Sequence, residues 1–166
     1  EINTKIDNYI KIDLNEEELS KKFKNKKFDV IFCGEVIEHL FSPDHLLDEV
    51  KKLMRPGSML ILSTPNLAYL PNRFLLLFGI SPLFLENSSE LKLGRRFKIF
   101  GQFNKTEGHI RVFTYKALRE LISLKGFVTI RIRPVSSAWN IVIDKIICKI
   151  GRGFAPNNVF VLKIKH

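Results

Sequence analysis

A capped helix between two short apolar runs restricts the fold of this chain more than any other feature. FDVIFCG (28–34) is a nearly continuous apolar run ending in glycine, which is typical of a strand buried on both faces of a parallel sheet. SPDHLLDEVKKLMRPG (42–57) predicts a helix, with Ser42 as its N-cap and Pro43 at its first position. SMLILSTPN (58–66) predicts the next strand. The order strand, helix, strand indicates an α/β fold.

The segments before and after this block continue the alternation of strand and helix. NYIKIDL (8–14) alternates apolar and polar residues and predicts a strand, and NEEELSKKFKNKK (15–27) predicts a helix with Asn15 as its N-cap. Two further helices and two further strands are predicted downstream, at 114–126 and 138–151 for the helices and at 127–135 and 158–165 for the strands. Because ligands of open α/β sheets lie beyond the carboxyl ends of the strands, we expect the chemistry just after residues 13, 34 and 64.

The totals indicate one domain and favour an anionic partner. A chain of 166 residues that is 45% hydrophobic is long enough and apolar enough for one buried core. Its net charge of +10 favours nucleic acid, phospholipid headgroups or a phosphorylated substrate, or serves only solubility. The two cysteines, Cys33 and Cys148, are too few for a disulfide framework and predict a reducing, cytoplasmic setting.

Two blocks of this sequence resemble a known enzyme family. FDVIFCGEVIEHLFSPDHLLDEVKKLMRPGSMLILSTPN (28–66) resembles the middle of a class I S-adenosylmethionine-dependent methyltransferase, and GHIRVFTYKALRELISLKGF (108–127) resembles its later part. The resemblance implies a Rossmann-like α/β sheet that is mostly parallel, with an antiparallel C-terminal strand. It also implies a single domain over residues 1–166, with a cap or insertion at about 67–107, and S-adenosylmethionine as the cofactor.

Carried onto this sequence, the resemblance implies four cofactor-binding positions. Asp13 would accept a hydrogen bond from the adenine amino group, and the backbone N–H of Leu14 would contact the same ring. Gly34 and Glu35 would line the pocket near the methionine part of the cofactor, where glycine permits close approach of the backbone. An ordinary strand-end role for Asp13 is the alternative.

The glycine-rich cofactor loop of the family has no counterpart before Asp13. The only Gly-x-Gly, at 151–153, follows a predicted helix, which is the wrong context. We therefore expect a sheet that is incomplete at the N-terminus, with an unpaired edge on the strand at 28–34. The chain would then be a fragment of a longer enzyme that binds the cofactor poorly alone, or a truncated, non-catalytic α/β binding module.

The stretch GEVIEHL (34–40) carries the candidate chemistry. On a helical turn, Glu35, Glu38 and His39 would share one face. Two subgroups of the family, the ubiquinone-pathway O-methyltransferases and the small-RNA 3′-terminal 2′-O-methyltransferases, carry E-x-x-E-H here and use it for a divalent metal. The RNA enzymes add a histidine at a position like that of His109. The resemblance thus implies a metal site of Glu35, Glu38, His39 and His109 that acts as a Lewis acid.

The same motif also occurs in family members without a metal, where the glutamates brace the turn. His39 would then pack beside the cofactor or substrate, and His109 would be a substrate-side or structural histidine. Either could still act as the catalytic general base, because imidazole titrates near neutral pH, although methyl transfer does not require a base.

The insertion indicates what kind of acceptor is methylated. Its apolar first half, LPNRFLLLFGISPLF (70–84), would shield the pocket, lie on a membrane surface or form a small packed cap. Its basic half contains Arg95, Arg96 and Lys98, which together with the apolar half are compatible with a lipid-linked or phosphorylated sugar and also with RNA phosphate. Nucleic acid is less favoured, because no stacking-aromatic RNA module is present.

These observations combine into one functional prediction. We predict methyl transfer from S-adenosylmethionine to an O or N atom of a small-molecule or glycan/lipid-linked acceptor. The protein would be cytoplasmic or attached peripherally to a membrane or another anionic partner. Metal-dependent RNA 2′-O-methylation and a non-catalytic binding module are the alternatives.

Overall fold

One mixed sheet runs through the protein, whose computed structural model describes residues 8–136 and 141–165. Its strands are β1 (Phe28–Gly34), β2 (Met54–Pro65), β3 (Phe127–Val135) and β4 (Asn157–Ile164). The order across the sheet is β1-β2-β4-β3. β1 and β2 pair in parallel, whereas β4 runs antiparallel to both of its neighbours. The predicted α/β sheet with an antiparallel last strand is therefore confirmed.

The helices predicted at 42–57 and 114–126 begin within one residue of the predicted start, and residues 138–140 of the helix predicted at 138–151 lie outside the described residues. The helices are α1 (Leu19–Lys22), α2 (Pro43–Leu53), α3 (Leu70–Leu77), α4 (Tyr115–Leu124) and α5 (Ile141–Ile150), with 3₁₀ turns at Ile37–His39 and Lys98–Phe100. Ser42 Oγ caps α2 by accepting from the backbone N–H of His45 at 3.2 Å. Thr114 Oγ1 caps α4 through Ala117 N at 3.1 Å. Both caps satisfy N–H groups that lack a partner inside the helix.

The core lies between the sheet and the apolar faces of α2 and α4. Leu47 of α2 and Leu60 of β2 are completely buried, and Phe160 at the centre of β4 is equally inaccessible. Each such side chain contributes roughly 1.5–3 kcal/mol of transfer free energy. This packing fixes the carboxyl ends of β1 and β2, from which the candidate site is built.

The predictions for the segment before β1 were partly wrong. Residues 8–13 are irregular and residues 14–16 form a turn, so no strand forms at 8–14. A period of two is not sufficient for a strand when no neighbouring strand pairs with it. The helix predicted at 15–27 contracts to α1, because Lys24 and Asn25 adopt left-handed backbone angles. Asn15 is not its N-cap; the side chain instead accepts from Phe41 N at 2.8 Å.

β1 has both an unpaired edge and an exposed face among the described residues. β1 is the outermost strand of the described sheet, as expected from the missing partner strand. Val30 is 48% exposed and Phe32 is 71% exposed, so the prediction that this strand is buried on both faces was wrong. Its apolar sequence reflects a second face that the described residues do not cover.

Residues 67–107, called the cap below, contain α3 and the second 3₁₀ turn. Asn66, at its base, donates from Nδ2 to the backbone carbonyls of Gly153 and Ala155. The hydroxyl of Tyr69 donates to the buried carboxylate of Asp144 and ties the cap to α5. None of the helices in the described ranges has the length and apolar character needed to span a bilayer.

Candidate active site

The chain leaves β1 through a turn that separates Glu35 from the helical residues after it. Glu35 has a left-handed φ of 54°, and the 3₁₀ turn begins only at Ile37. Glu35 therefore does not share a helical face with Glu38 and His39, contrary to prediction. Its carboxylate instead accepts from Ser63 Oγ at 2.7 Å and from Asn157 Nδ2 at 2.9 Å.

Glu38 is the buried acid of the site. Only 2% of its surface is exposed, and Oε2 accepts from the Thr64 hydroxyl at 2.9 Å. The second oxygen, Oε1, is buried and has no hydrogen-bond partner among the described residues. Burial raises the pKa of Glu38, and the bond from Thr64 offsets only part of that rise. An unpartnered buried carboxylate oxygen is costly and indicates a missing ligand or proton.

His39 and His109 face each other across the site, with ring centroids 5.0 Å apart. Nδ1 of His39 lies 3.0 Å from the carbonyl oxygen of Gly108, and Nδ1 of His109 lies 3.2 Å from that of Phe84. A carbonyl can only accept, so each Nδ1 carries a proton, and in the neutral form of each ring Nε2 presents a lone pair. Nε2 of His39 is 4.0 Å from Oε1 of Glu38.

His109 is held in place by Glu86, a residue that the sequence analysis missed. The Glu86 carboxylate accepts three backbone N–H bonds, from Glu107 at 2.7 Å, Gly108 at 2.8 Å and His109 at 2.9 Å. Burial alone would raise the pKa of Glu86, but these backbone donors lower it below its usual range. The only signal in the sequence is an isolated acid directly after the apolar half of the insertion.

Two cavities meet at these residues. The first, the histidine cavity, has a volume of about 810 Å³ and is lined by Glu38, His39 and His109 among others. The second, the Asp13 cavity, has a volume of about 660 Å³ and contains Asp13 and Leu14 in its wall. Both cavities share Glu35 and His39. The structure thus places the predicted adenine-side residues and the predicted reaction centre on two sides of one wall.

The remaining predicted residue, Gly34, contributes through its backbone. It pairs with Ser63 in the β1–β2 ladder, and an added Cβ would lie 2.5 Å from the ring of Phe32. The structure therefore brings six of the seven predicted site residues to the cavity walls and leaves Gly34 immediately beneath them.

Three of the four predicted metal ligands form a group that fits a divalent cation. One ligand atom from each of Glu38, His39 and His109 lies within 4.8 Å of the other two, whereas Glu35 is outside this group. Oε1 of Glu38 has no hydrogen-bond partner among the described residues, and the second atoms of all three side chains are held by neighbours, so Oε1 and the two Nε2 atoms are the candidate donors. Nε2 of His109 also lies 3.7 Å from Oε2 of Glu107. Two imidazoles and one carboxylate suit Mn, Fe, Co or Zn better than Mg.

Comparison with known proteins shows the family and the fold of this chain. The sequence profile of a family described as a methyltransferase domain matches residues 2–132. The chain belongs to this family. No curated protein sequence matches this methyltransferase domain significantly.

Solved structures resemble the domain in fold. An S-adenosylmethionine-dependent methyltransferase from Clostridium acetobutylicum has a TM-score of 0.52 at 11% identity, over 86% of this chain and 60% of that one. The CcbJ methyltransferase from Streptomyces caelestis has a TM-score of 0.51 at 10% identity, over 94% and 61%. An S-adenosylmethionine-dependent methyltransferase from Archaeoglobus fulgidus has a TM-score of 0.50 at 16% identity, over 93% of this chain and 66% of that one. The domain thus spans 60–66% of the length of these chains.

Proposed function

We propose that this methyltransferase domain transfers a methyl group from S-adenosylmethionine to an O or N atom of an acceptor in the histidine cavity. The observation that carries the proposal is the wall shared by the two cavities, which contains Glu35 and His39. A cofactor in the Asp13 cavity and an acceptor in the histidine cavity would meet at that wall. Methyl transfer depends above all on such positioning of the two reactants.

The residues of the Asp13 cavity suit the adenosyl group. Oδ1 of Asp13 accepts from Asn15 N at 2.9 Å, and the exposed carboxylate keeps a second oxygen for an exocyclic amine. The carboxylate of Glu35 is held on the shared wall by Ser63 and Asn157. When bound, S-adenosylmethionine supplies a methyl group on a positively charged sulfur, and a fixed carboxylate nearby favours that charge.

His39 is the proposed general base. Its Nδ1 proton is held by the carbonyl of Gly108, so Nε2 is available to take the proton of the acceptor hydroxyl or ammonium group. His109 presents its own Nε2 from the opposite wall and orients the acceptor. Both histidines line the cavity, which brings the base within reach of an acceptor placed there.

Calorimetry with S-adenosylmethionine on the full-length gene product tests the cofactor assignment. Asp13→Ala is expected to weaken binding about tenfold, since a hydrogen bond to a charged group contributes roughly 1.5–3 kcal/mol. Asp29→Ala is the matched control, because Asp29 lies near the amino end of β1 and pairs with Arg55. Absence of binding by the full-length product would exclude the proposed activity.

A metal-dependent form of the reaction is the second candidate, favoured by the unpartnered Oε1 of Glu38. Glu38, His39 and His109 would hold the cation, which would lower the pKa of an acceptor hydroxyl as a Lewis acid. The 2′-hydroxyl of RNA is one such acceptor. Elemental analysis of the purified protein decides this candidate. We expect Glu38→Gln to remove the metal and Glu90→Gln to retain it; metal that survives Glu38→Gln contradicts the assignment.

A further inference from the structure

An apolar groove lies between α3 and α5 on the cap. It has a volume of about 480 Å³, and all ten residues that line it are apolar, among them Phe74, Leu83, Ile146 and Ile150. Phe74, Ile146 and Ile150 are 57%, 60% and 60% exposed. The volume is within the roughly 300–1,000 Å³ of ordinary ligand pockets. A groove of this composition suits a hydrocarbon chain.

A cationic pocket adjoins the groove. This pocket, of about 230 Å³, shares Leu83 and Phe100 with the groove, and Lys92, Arg95 and Lys98 line it with a single carboxylate, Glu107. Against these three cations stand Glu107 in the lining and Glu86 beside Lys92, which leaves a surplus of one positive charge.

Arg95 shows that the pocket is built rather than incidental. It is 2% exposed, and its guanidinium donates from Nη2 to the carbonyls of Leu83 and Leu85 and from Nη1 to that of Phe100 at 3.1 Å. Its Nε is buried without a partner among the described residues. Lys92 forms ion pairs with Glu107 and with Glu86, the latter at 3.7 Å. A buried guanidinium with an unused donor is a recognition element for a phosphate.

The cationic pocket also adjoins the histidine cavity. The two share Phe84 and Glu107. Apolar groove, cationic pocket and reaction centre therefore follow one another across the cap. Their order matches a molecule with a hydrocarbon chain, then a phosphate, then a polar head group.

We propose that the acceptor is a phosphorylated single-chain lipid whose chain occupies the apolar groove and whose phosphate occupies the cationic pocket. An O or N atom of the head group beyond the phosphate then lies at His39 and bonds to the methyl carbon as the bond from that carbon to the sulfur of S-adenosylmethionine breaks. S-adenosylhomocysteine leaves, and the proton of the acceptor atom passes to Nε2 of His39. The assignment of this lipid as the acceptor rests on the proposed methyl transfer, whereas lipid binding itself does not. Lys98 is exposed at the pocket and contacts the phosphate from the solvent side.

Calorimetry with short-chain lysophosphatidylglycerol below its critical micelle concentration tests the binding. Monoacylglycerol of the same chain length and glycerol phosphate are the two comparison ligands. We expect each to bind at least about tenfold more weakly, because one lacks the charge and the other the chain. If monoacylglycerol binds equally well, the phosphate does not contribute to binding. If glycerol phosphate binds equally well, the hydrocarbon chain does not contribute. Either result overturns the proposal.

Two pairs of variants locate the ligand. Ile146→Asp should weaken binding about tenfold or more by placing a charge in the groove, whereas Val142→Asp should not, because Val142 is 72% exposed on α5 outside the groove lining. Lys98→Gln should weaken the binding of lysophosphatidylglycerol but not that of monoacylglycerol. Lys149→Gln is its control. Thermal unfolding checks that each variant is folded. Equal effects of a variant and its control contradict the proposal.

A vesicle assay separates a bound lipid from a membrane surface. Sedimentation with phosphatidylglycerol vesicles that is lost equally in Ile146→Asp and Val142→Asp would show that α5 lies on a bilayer, which overturns the groove assignment. All lipid binding is measured without S-adenosylmethionine. If the lipid does not bind, the proposed methyl transfer is unaffected. If the cofactor does not bind, the proposal that the groove binds a lipid is unaffected.

Discussion

Oε2 of Glu86 accepts a hydrogen bond from the backbone N–H of His109 at 2.9 Å, so an acid in the cap positions a histidine of the reaction centre. The same carboxylate also binds the N–H groups of Glu107 and Gly108. Glu86 itself lines neither cavity; it binds the backbone of the loop at 107–109 and pairs with Lys92 at 3.7 Å. Its contribution should therefore be visible in the order of that loop.

We predict that Glu86→Gln loosens the loop at 107–109, because an amide cannot accept as many backbone N–H bonds as a carboxylate. Amide hydrogen exchange at these residues should accelerate about tenfold or more, and the NMR signal of the His109 ring should report both tautomers. Glu90→Gln, on the exposed part of the cap, should change neither. Unaltered exchange in Glu86→Gln would show that the loop does not need this carboxylate.

The buried carboxylate of Glu49 should make stability depend on pH. Oε2 of Glu49 accepts from Ser20 N and Oγ, and Oε1 accepts from Lys52 Nζ at 2.7 Å. Although burial opposes it, these donors lower the pKa from 4.5 to about 2. The unfolded chain therefore takes up the proton first as pH falls. The stabilisation is complete above about 4.5 and disappears towards about 2.

Urea unfolding at two pH values tests the role of Glu49. We expect Glu49→Gln to lower the free energy of unfolding by roughly 1–3 kcal/mol near neutral pH and by clearly less near pH ~3. Glu120→Gln is the matched control, because Glu120 forms only an exposed pair with Lys116. A cost of Glu49→Gln that stays constant with pH would contradict the proton linkage.

Asn66 should be among the most sensitive positions outside the cavities. Its side chain donates to the carbonyls of Gly153 and Ala155 and accepts from two backbone N–H groups, including that of Tyr115. Removing it leaves buried backbone groups without partners. Asn66→Ala is expected to cost roughly 2–4 kcal/mol in thermal or urea unfolding. A cost below about 1 kcal/mol would mean that water replaces these bonds.

Gly34→Ala separates the fold from the cofactor site. The added Cβ would approach Phe32 to 2.5 Å, but the contact is the tip of a ring that is 71% exposed and able to turn away. We expect a stability loss below about 1 kcal/mol, less than that of Gly57→Ala, where φ is +89°. Affinity of the full-length product for S-adenosylmethionine should nevertheless fall. Unchanged affinity would show that the backbone at residue 34 does not approach the cofactor.

The sheet could be predicted from the sequence because its strands and helix caps rely on local signals. Ser42 and Thr114 bind N–H groups only three residues away. The apolar run of β2 favours a buried strand whatever the conformation of the segments that follow it. The segment at 8–14 carries the same kind of local signal without a partner strand. Its failure to form a strand shows that pairing, not alternation alone, decides strand formation.

The site could be predicted only in part, because its geometry depends on contacts between distant residues. Glu38 and His39 lie beside His109 as the motif suggests. Glu35, however, has a left-handed backbone conformation, and its side chain binds Ser63 instead. The local sequence does not predict this left-handed conformation. Likewise, Arg95 looks like a surface cation in a basic stretch, and only the folded cap shows it buried against backbone carbonyls.

The place of β4 between β2 and β3 has a consequence for synthesis on the ribosome. β4 is the strand that joins β2 to β3. Both strands therefore lack this partner until the strand at Asn157–Ile164, the last of the described strands, has emerged. Until then the growing chain presents an unpaired edge of β2 and its apolar face, which is the condition under which nascent chains aggregate or recruit chaperones. Asn157 of the same strand binds Glu35, so the wall between the two cavities is also completed last.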